Sequence, residues 1–558
     1  MEFSFLVQQD RELATNSDHT EVGVEPLAIR DIVAVARGGA RLSIANDPAV
    51  NGRLAECHQV MMENIREGVP VYGCNTAYGA RAVLAFTDGS LAQRDWCARA
   101  ISEAIAAIDV AVGPAFDQDI VRAGMLIRIQ MLLGGVSGVK LADLVLFAEL
   151  LNTPWTPRVN QYGGVGASGD LAHNARVLSV MRNLPGAMVV NGEGDVREAR
   201  KVFPDLGLKA LELDPKAGLA FCNGDNFSTG LGILLAVDTL RLLLLVVASS
   251  AMTVEVLLGS DRSFHPMLGR VRPHPGQIEV AYLLRELLAG SQLATQELLG
   301  FIPRPQGISV QDGYSLRALP QYLAVAVEQL QAAFEVLNRN ANSVSDNPLW
   351  VPPQYTVEGE APWQWVSGAN FLAMHVAEVI DGLRKSMTQI VKLCDRHLAR
   401  IINPNLNNGL PPNLSGDLAV TTCSFKGVQI QAGMFDVYSQ ILSIPVTTMF
   451  GVHEEGNQDI TTHAITSGIL AAENMRIARY SLAQNFLSIA QAVDLRGGPQ
   501  YLSPRTRPIH SFIRNRCDHV TYERPLHQDI ESIYQAIVSD ELGQTLREHT
   551  FHGLEMRK

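Results

Sequence analysis

A small residue, a serine and a glycine stand in series at Ala167-Ser168-Gly169, inside the glycine-rich run Gly163-Gly-Val-Gly-Ala-Ser-Gly-Asp-Leu171. Such a turn can attack itself. With no Cβ beside it, the Gly169 nitrogen can approach the Ala167 carbonyl closely. Ring closure and loss of two waters, one taking the Ser168 hydroxyl, leave an exocyclic alkene conjugated to an imidazolone. That product is an electrophile, which none of the twenty side chains supplies. Its chemistry is the withdrawal of electrons from an amine or a ring.

Five other loops carry polar residues at the ends of apolar-periodic segments, where chemistry is usually placed. They are Tyr72-Gly-Cys-Asn-Thr-Ala-Tyr-Gly79, Asn223-Gly-Asp-Asn226, Gln311-Asp-Gly-Tyr-Ser-Leu-Arg317, Gly368-Ala-Asn-Phe371 and Glu454-Glu-Gly-Asn-Gln-Asp459. Between them stand Ser263-Phe-His-Pro266, Arg272-Pro-His-Pro-Gly-Gln277, Ser343-Val-Ser-Asp-Asn-Pro-Leu349 and Asn408-Gly-Leu-Pro-Pro412. This ordered set resembles the aromatic amino acid ammonia-lyase and 2,3-aminomutase family, from about residue 27 to about residue 530. In length the chain is similar to the short bacterial phenylalanine ammonia-lyases.

The resemblance implies a 4-methylideneimidazole-5-one group (MIO) made from Ala167, Ser168 and Gly169, with no external cofactor and no metal. It implies that Tyr72 is the base for the β-hydrogen. A phenol of ordinary pKa about 10 needs dipoles or a cation to act near neutrality. Asn223 and Tyr314 would hydrogen-bond the MIO or the amine, and Arg317 would hold the substrate carboxylate in a two-pronged pair. Asn370 and Gln311 would assist there. Phe371 would pack beside the MIO, Gln458 and Glu454 would line the amine side, and Lys426 matches a lysine near the site. Leu171, closing the Gly-Asp-Leu run, joins the substrate-binding residues. The family also implies a homotetramer with a common helical core and active sites each built from three chains.

Three positions depart from the family's pattern. Ala172-His173-Asn174 replaces a run that usually contains proline, and His173 and Asn174 either face the site or pack, with packing favoured. Asp225 stands where a threonine is usual, either near the amine or at a neighbouring helix end. The ring-recognition pair, anchored on Val112-Gly113-Pro114, falls at Ala107-Ile108. Neither residue can hydrogen-bond an imidazole or a phenol, and an apolar pocket does not strongly reject a hydroxyl. Phenylalanine or a bulkier arylalanine is therefore the expected substrate, with a trans-cinnamate and ammonia as products. The alternatives are a 2,3-aminomutase giving a β-amino acid, a tyrosine or histidine ammonia-lyase, and a non-catalytic binding member of the fold.

Positioning these loops takes a large frame. The 558 residues are 47% hydrophobic and 18% charged, ample for a sizeable core. The net charge of −12, from 45 basic and 57 acidic residues, argues against a nucleic-acid or anionic-membrane partner. Seven scattered cysteines without a CxxC pair, and a start without a basic n-region, point to a reducing cytoplasm.

Apolar periodicity predicts helices over 89–110, 117–134, 226–258, 276–298, 316–341, 368–400, 420–443 and 462–495. A helix capped by Asp170 runs through Met181, and a hairpin and small helix follow near 188–203. The stretch 240–259 is long enough to span a membrane. Arg241 and Glu255 within it, and Asp238 before it, make a buried bundle helix the better reading. The expected fold is mainly α: a flexible arm over 1–24, a mixed MIO-bearing domain over 25–220, a central antiparallel bundle over 221–503, and a C-terminal helical region over 504–558.

Overall fold

Apolar periodicity becomes helix along most of the chain. The computed structural model describes residues 4–15, 17–297, 307–360, 364–416, 423–449 and 451–554. The helices that position the site are α1 (Gln118–Leu132), α2 (Leu171–Met181), α3 (Asn226–Val256), α4 (Tyr314–Arg317), α5 (Leu319–Ala341), α6 (Met374–Ile402), α7 (Lys426–Leu442) and α8 (Ala464–Leu495). Residues 420–422 of the helix expected at 420–443 lie outside the described residues. The helix expected over 276–298 ends at Leu288. Beyond it, Gly290 has φ +80° and the Ser291 hydroxyl accepts the N–H groups of Leu293 and Ala294, which closes a turn instead.

α3 is the axis of the molecule and packs against α1, α5, α6 and α8. Of its 31 residues only Asp238 and Arg241 escape burial. It is apolar all round because neighbours cover it on every side, so the membrane-length stretch lies inside the bundle. Side-chain pairs set the directions. Arg479 of α8 meets Asp238 at 3.0 Å, and Arg496, just after α8, donates to Val256 O at 2.9 Å. Ser467 meets Asp381 of α6, and Asn485 meets Cys394 O. Thus α3, α6 and α8 run parallel, with their N-termini at one end. α5 and α7 run against them: Asn340 reaches Asp225, while Ser439 and Asp436 meet Thr388 and Lys392.

The N-terminal part is mixed, as expected. Trp155–Pro157, Met188–Asn191 and Val196–Glu198 form an antiparallel sheet, with Met188 opposite Glu198, and a helix follows over Ala199–Leu206. The expected loose arm is different. Phe5–Leu13 is a helix, Leu6 is fully buried, and Ser4 Oγ and Leu6 N–H both donate to Glu279 Oε1 at 2.8 Å. A polar sequence docks here through one buried carboxylate and one apolar face. Residues 1–3 and 16 lie outside the described residues. At the other end, helices over Arg507–Arg514 and His527–Val538 pack on α8, where Tyr480 stacks on Tyr534 at 3.8 Å.

Candidate active site

Gly169 has φ +69°, a left-handed conformation that glycine adopts without penalty. A Cβ there would stand 2.5 Å from the carbonyl carbon and oxygen of Gly224, and Asp170 N–H donates to that oxygen at 2.8 Å. The other flank is held by residues just before α8. Thr462 Oγ1 donates to Gly166 O at 3.2 Å and His463 N–H to Val165 O at 3.1 Å. Gln458 Nε2 donates to Ser168 Oγ at 3.0 Å. The turn therefore fits an internal imidazolone. Its attacking nitrogen carries no side chain, the residue before the serine is small and buried, and the serine hydroxyl is polarised by an amide donor.

Asp170 was expected to cap α2, but its carboxylate makes no bond there. It turns to α3, accepting Ser228 N–H and Oγ–H at 2.8 Å, where the helix dipole favours an anion. Burial nevertheless pushes its pKa up to about 7. His173 and Asn174 pack, as favoured. His173 lies between Phe116 and Phe227 with Nε2 at 3.0 Å from Gln161 O, and burial lowers its pKa. Asn174 Nδ2 donates to Cys222 O and Gly224 O at 3.0 Å. Asp225 faces the end of α5, accepting from Asn340 Nδ2 at 3.0 Å.

Tyr72 is half-buried, and its oxygen accepts Gly79 N–H at 2.9 Å. Burial raises the phenol pKa, the Gly79 donor lowers it, and the Glu454 carboxylate raises it further. Glu454 Oε1 accepts Ala80 N–H at 3.3 Å, and Arg81 meets Glu455 at 3.0 Å. The 454–458 turn thus touches both the Tyr72 loop and Ser168. Asn223 is buried, with Nδ2 donating to Asn347 O at 3.1 Å and Asp346 Oδ1 at 3.4 Å. Asn347 Oδ1 accepts Gly368 N–H at 2.8 Å, which ties exposed Asn370 and half-buried Phe371 to the same end of the bundle. Leu171 opens α2, and the 105–108 turn carrying Ala107 and Ile108 packs against α2. Ala107 is exposed and Ile108 half-buried.

Four expected site residues are elsewhere. Arg317 lies over the Tyr314 ring at 4.5 Å, and the Gln311 amide oxygen, turned toward the guanidinium, accepts from it. Asp312 beside them accepts Ser260 N–H at 2.8 Å, just past the C-terminus of α3. Ser168 is at its N-terminus. Thirty-one helical residues rise about 45 Å, so within one chain these groups are that far apart. Lys426 is exposed at the start of α7, where nearby Gln431 meets Gln484 of α8. That contact is about 30 Å along α8 from His463.

Sequence reasoning gave no role to Thr462, Asp346 or Asn347. Asp346 and Asn347 stood in a motif noted for its order alone, and nothing marked Thr462.

The aromatic amino acid lyase family matches residues 27–515. An aromatic ammonia-lyase of Loktanella atrilutea is 30% identical over 498 residues, covering 88% of each chain. A phenylalanine ammonia-lyase of Nostoc punctiforme is 30% identical, covering 86% of this chain and 83% of that one. The crystal structure of a tyrosine aminomutase from Streptomyces globisporus superposes with a TM-score of 0.86 at 27% identity, covering 96% of this chain and all of that one. With the glycine-flanked Ser168 turn at the shared end of three parallel helices, the chain belongs to the aromatic amino acid lyase family and is an enzyme of the ammonia-lyase type.

Proposed function

We propose that the protein eliminates ammonia from an aromatic L-amino acid, phenylalanine or a related arylalanine, to give a trans-cinnamate, using an MIO formed from Ala167, Ser168 and Gly169. The observation that carries this reading is the seating of Gly169 against Gly224, with no room for a side chain, while Gln458 holds the Ser168 hydroxyl. The MIO supplies an electrophile that draws electrons from the substrate amine. Tyr72 takes the β-hydrogen. Its phenol is held up by burial and by Glu454, so it needs a cation as well as the Gly79 donor. Arg317 supplies that cation and grips the substrate carboxylate, with Gln311 and Tyr314 steadying its fork. Asn223 contacts the amine, Asn370 assists at the carboxylate, and Leu171, Phe371, Ala107 and Ile108 line the apolar side.

Because α3 keeps Arg317 about 45 Å from its own Ser168, the reading requires that Gln311, Tyr314, Arg317 and Lys426 act in another copy's site. A homotetramer accords with this. Exposed Ile430, Met434, Val437 and Ile441 form one apolar stripe on α7, the kind of face a second copy covers. The seven free cysteines accord with a reducing cytoplasm.

A second reading, a 2,3-aminomutase, draws on one observation. Both Glu454 and Glu455 hold the 80–81 turn of the Tyr72 loop, and a closed loop keeps product and amine together. Product analysis with Phe, Tyr, His and bulkier arylalanines separates cinnamates from β-amino acids. A near-ultraviolet difference spectrum between wild type and Ser168→Ala tests the MIO, and no difference would sink both readings.

A further inference from the structure

Lys216 and Asp346 form an ion pair whose two side chains are completely shielded from solvent, Nζ to Oδ2 at 2.8 Å. Lys216 also donates to Ser137 O at 3.0 Å, and its ammonium lies 5.6 Å from the centre of the Trp365 ring. Its backbone is left-handed, φ +63°, an unfavourable conformation for a residue with a side chain. A buried ion pair is a poor source of stability beside an apolar pair of similar volume. Two costs are therefore concentrated at one place, and that place is directly behind Asn223.

Asn223 Nδ2 donates to Asp346 Oδ1 and to Asn347 O. Both partners are acceptors, so the amide nitrogen must face them and the amide oxygen must face away. That oxygen is buried and has no partner in the chain. An unpaired buried acceptor is costly unless a ligand brings a donor. The same backbone reaches a second loop, since Asn347 Oδ1 holds Gly368 N–H two residues before Asn370.

We propose that Lys216 and Asp346 are positioning residues: Lys216 anchors the Asp346–Asn347 bracket, and the bracket turns the Asn223 amide so that its oxygen accepts an N–H of the substrate amine. The inference rests on the reading of Asn223 as a contact of that amine. Asp346 acts through Asn223 and through Asn347, and neither it nor Lys216 touches substrate.

The test is the charge-neutral double substitution Lys216→Met with Asp346→Asn in the full-length oligomer, compared with Asn223→Ala and with the triple variant. The expected double variant keeps its oligomeric size and its near-ultraviolet MIO absorbance. Its kcat falls about thirtyfold or more with KM within about threefold, as for a misplaced group. In the Asn223→Ala background the same pair of changes costs less than about twofold, because the route through Asn223 is already cut. A double variant with kcat within about threefold of wild type overturns the proposal, and so does a loss that multiplies fully with Asn223→Ala.

Should the double variant not fold, Asp346→Asn alone carries the same comparison. A crystal structure of whichever variant folds gives a readout independent of turnover: an Asn223 amide unmoved from Asn347 O overturns the bracket. If instead Asn223→Ala turns over aromatic amino acids at the wild-type rate, the reading of Asn223 as an amine contact has failed, and the crystal comparison shows separately whether the bracket holds the amide.

Discussion

Glu454 closes on the turn that carries Gly79. Its carboxylate fills the space a side chain at Gly79 would need, Oε1 accepts Ala80 N–H at 3.3 Å, and Oε2 accepts from Asn457 Nδ2 at 2.8 Å. Gly79 N–H in turn donates to Tyr72 Oη at 2.9 Å. One carboxylate thus holds the peptide next to the one that donates to Tyr72, while its own charge opposes the Tyr72 phenolate.

Glu454→Gln separates the two effects. The amide keeps an acceptor for Ala80 and loses the charge that raises the Tyr72 pKa. If Tyr72 is the base, as proposed, it must be deprotonated to act, so the rising limb of kcat/KM against pH moves to lower pH, by about half to one unit. Gly79→Ala forces the carboxylate away and lowers kcat about tenfold or more. A limb that stays in place in Glu454→Gln means that Glu454 does not tune Tyr72.

The length of α3 makes a prediction about mixtures. Ser168→Ala and Arg317→Ala are each expected to be inactive as homo-oligomers. In a proposed site that joins Ser168 of one copy to Arg317 of another, co-assembled chains contain some sites with both residues intact. Co-expression of differently tagged variants and isolation of the mixed species should restore turnover at least about tenfold above either parent. Mixed oligomers as inactive as their parents would show that the two residues do not meet between chains.

Asp170 predicts a pH dependence of stability. Its pKa rises from an ordinary 3.8 to about 7 because burial penalises the anion more than Ser228 helps it. The folded state then holds the proton more tightly than the unfolded state. The stabilisation from this group is complete below about pH 4 and is lost as pH rises through about 7. The gap is worth at most ~4 kcal/mol per chain. Asp170→Asn keeps an acceptor for Ser228 N–H and cannot ionise, so its melting temperature should gain on that of wild type as pH rises, with a clearly larger difference at pH 8 than at pH 5. Thermal melts at the two pH values decide, and equal differences at both reject the assignment.

The N-terminal helix carries a stability prediction remote from the Ser168 turn. Leu6 is fully buried, and its N–H shares Glu279 Oε1 with Ser4 Oγ. Leu6→Ala should cost about 2–4 kcal/mol through the cavity it leaves. Activity per folded molecule should be preserved, since this contact lies away from the Ser168 turn. Chemical denaturation together with kcat checks both halves, and a Leu6→Ala protein of wild-type stability would mean that the segment does not dock in solution.

Sequence carried the helices because burial repeats every three to four residues along α5 and α6, while α3 is apolar over a length no strand reaches. It carried the Ser168 turn because only glycines tolerate the close approach of Gly169 to Gly224. Distance was not legible. The order of motifs along a chain does not say that Arg317 and Ser168 sit at opposite ends of one helix. Partners across long separations were hidden too: Asp170 chose Ser228 over its own helix, and Asp346 joined Lys216. Composition misled at 1–24, where one carboxylate on a distant helix, Glu279, makes a polar segment dock.

In the proposed reading, substrate choice rests on the apolar pair Ala107-Ile108, in a turn packed on α2. A pocket without a hydrogen-bonding group discriminates by size and shape and only weakly against an added hydroxyl. The ratio of kcat/KM for Phe over Tyr should therefore stay below about 100. Histidine should be poorer than both, because its imidazole gives up water and finds no partner. Ile108→His supplies a polar partner and should raise kcat/KM for Tyr relative to Phe by about tenfold, while Ala107→Phe, by filling space, should favour Phe over bulkier arylalanines. Parallel kcat/KM measurements over this panel check each sign. Wild-type preference for histidine over phenylalanine would refute the assignment of the pair.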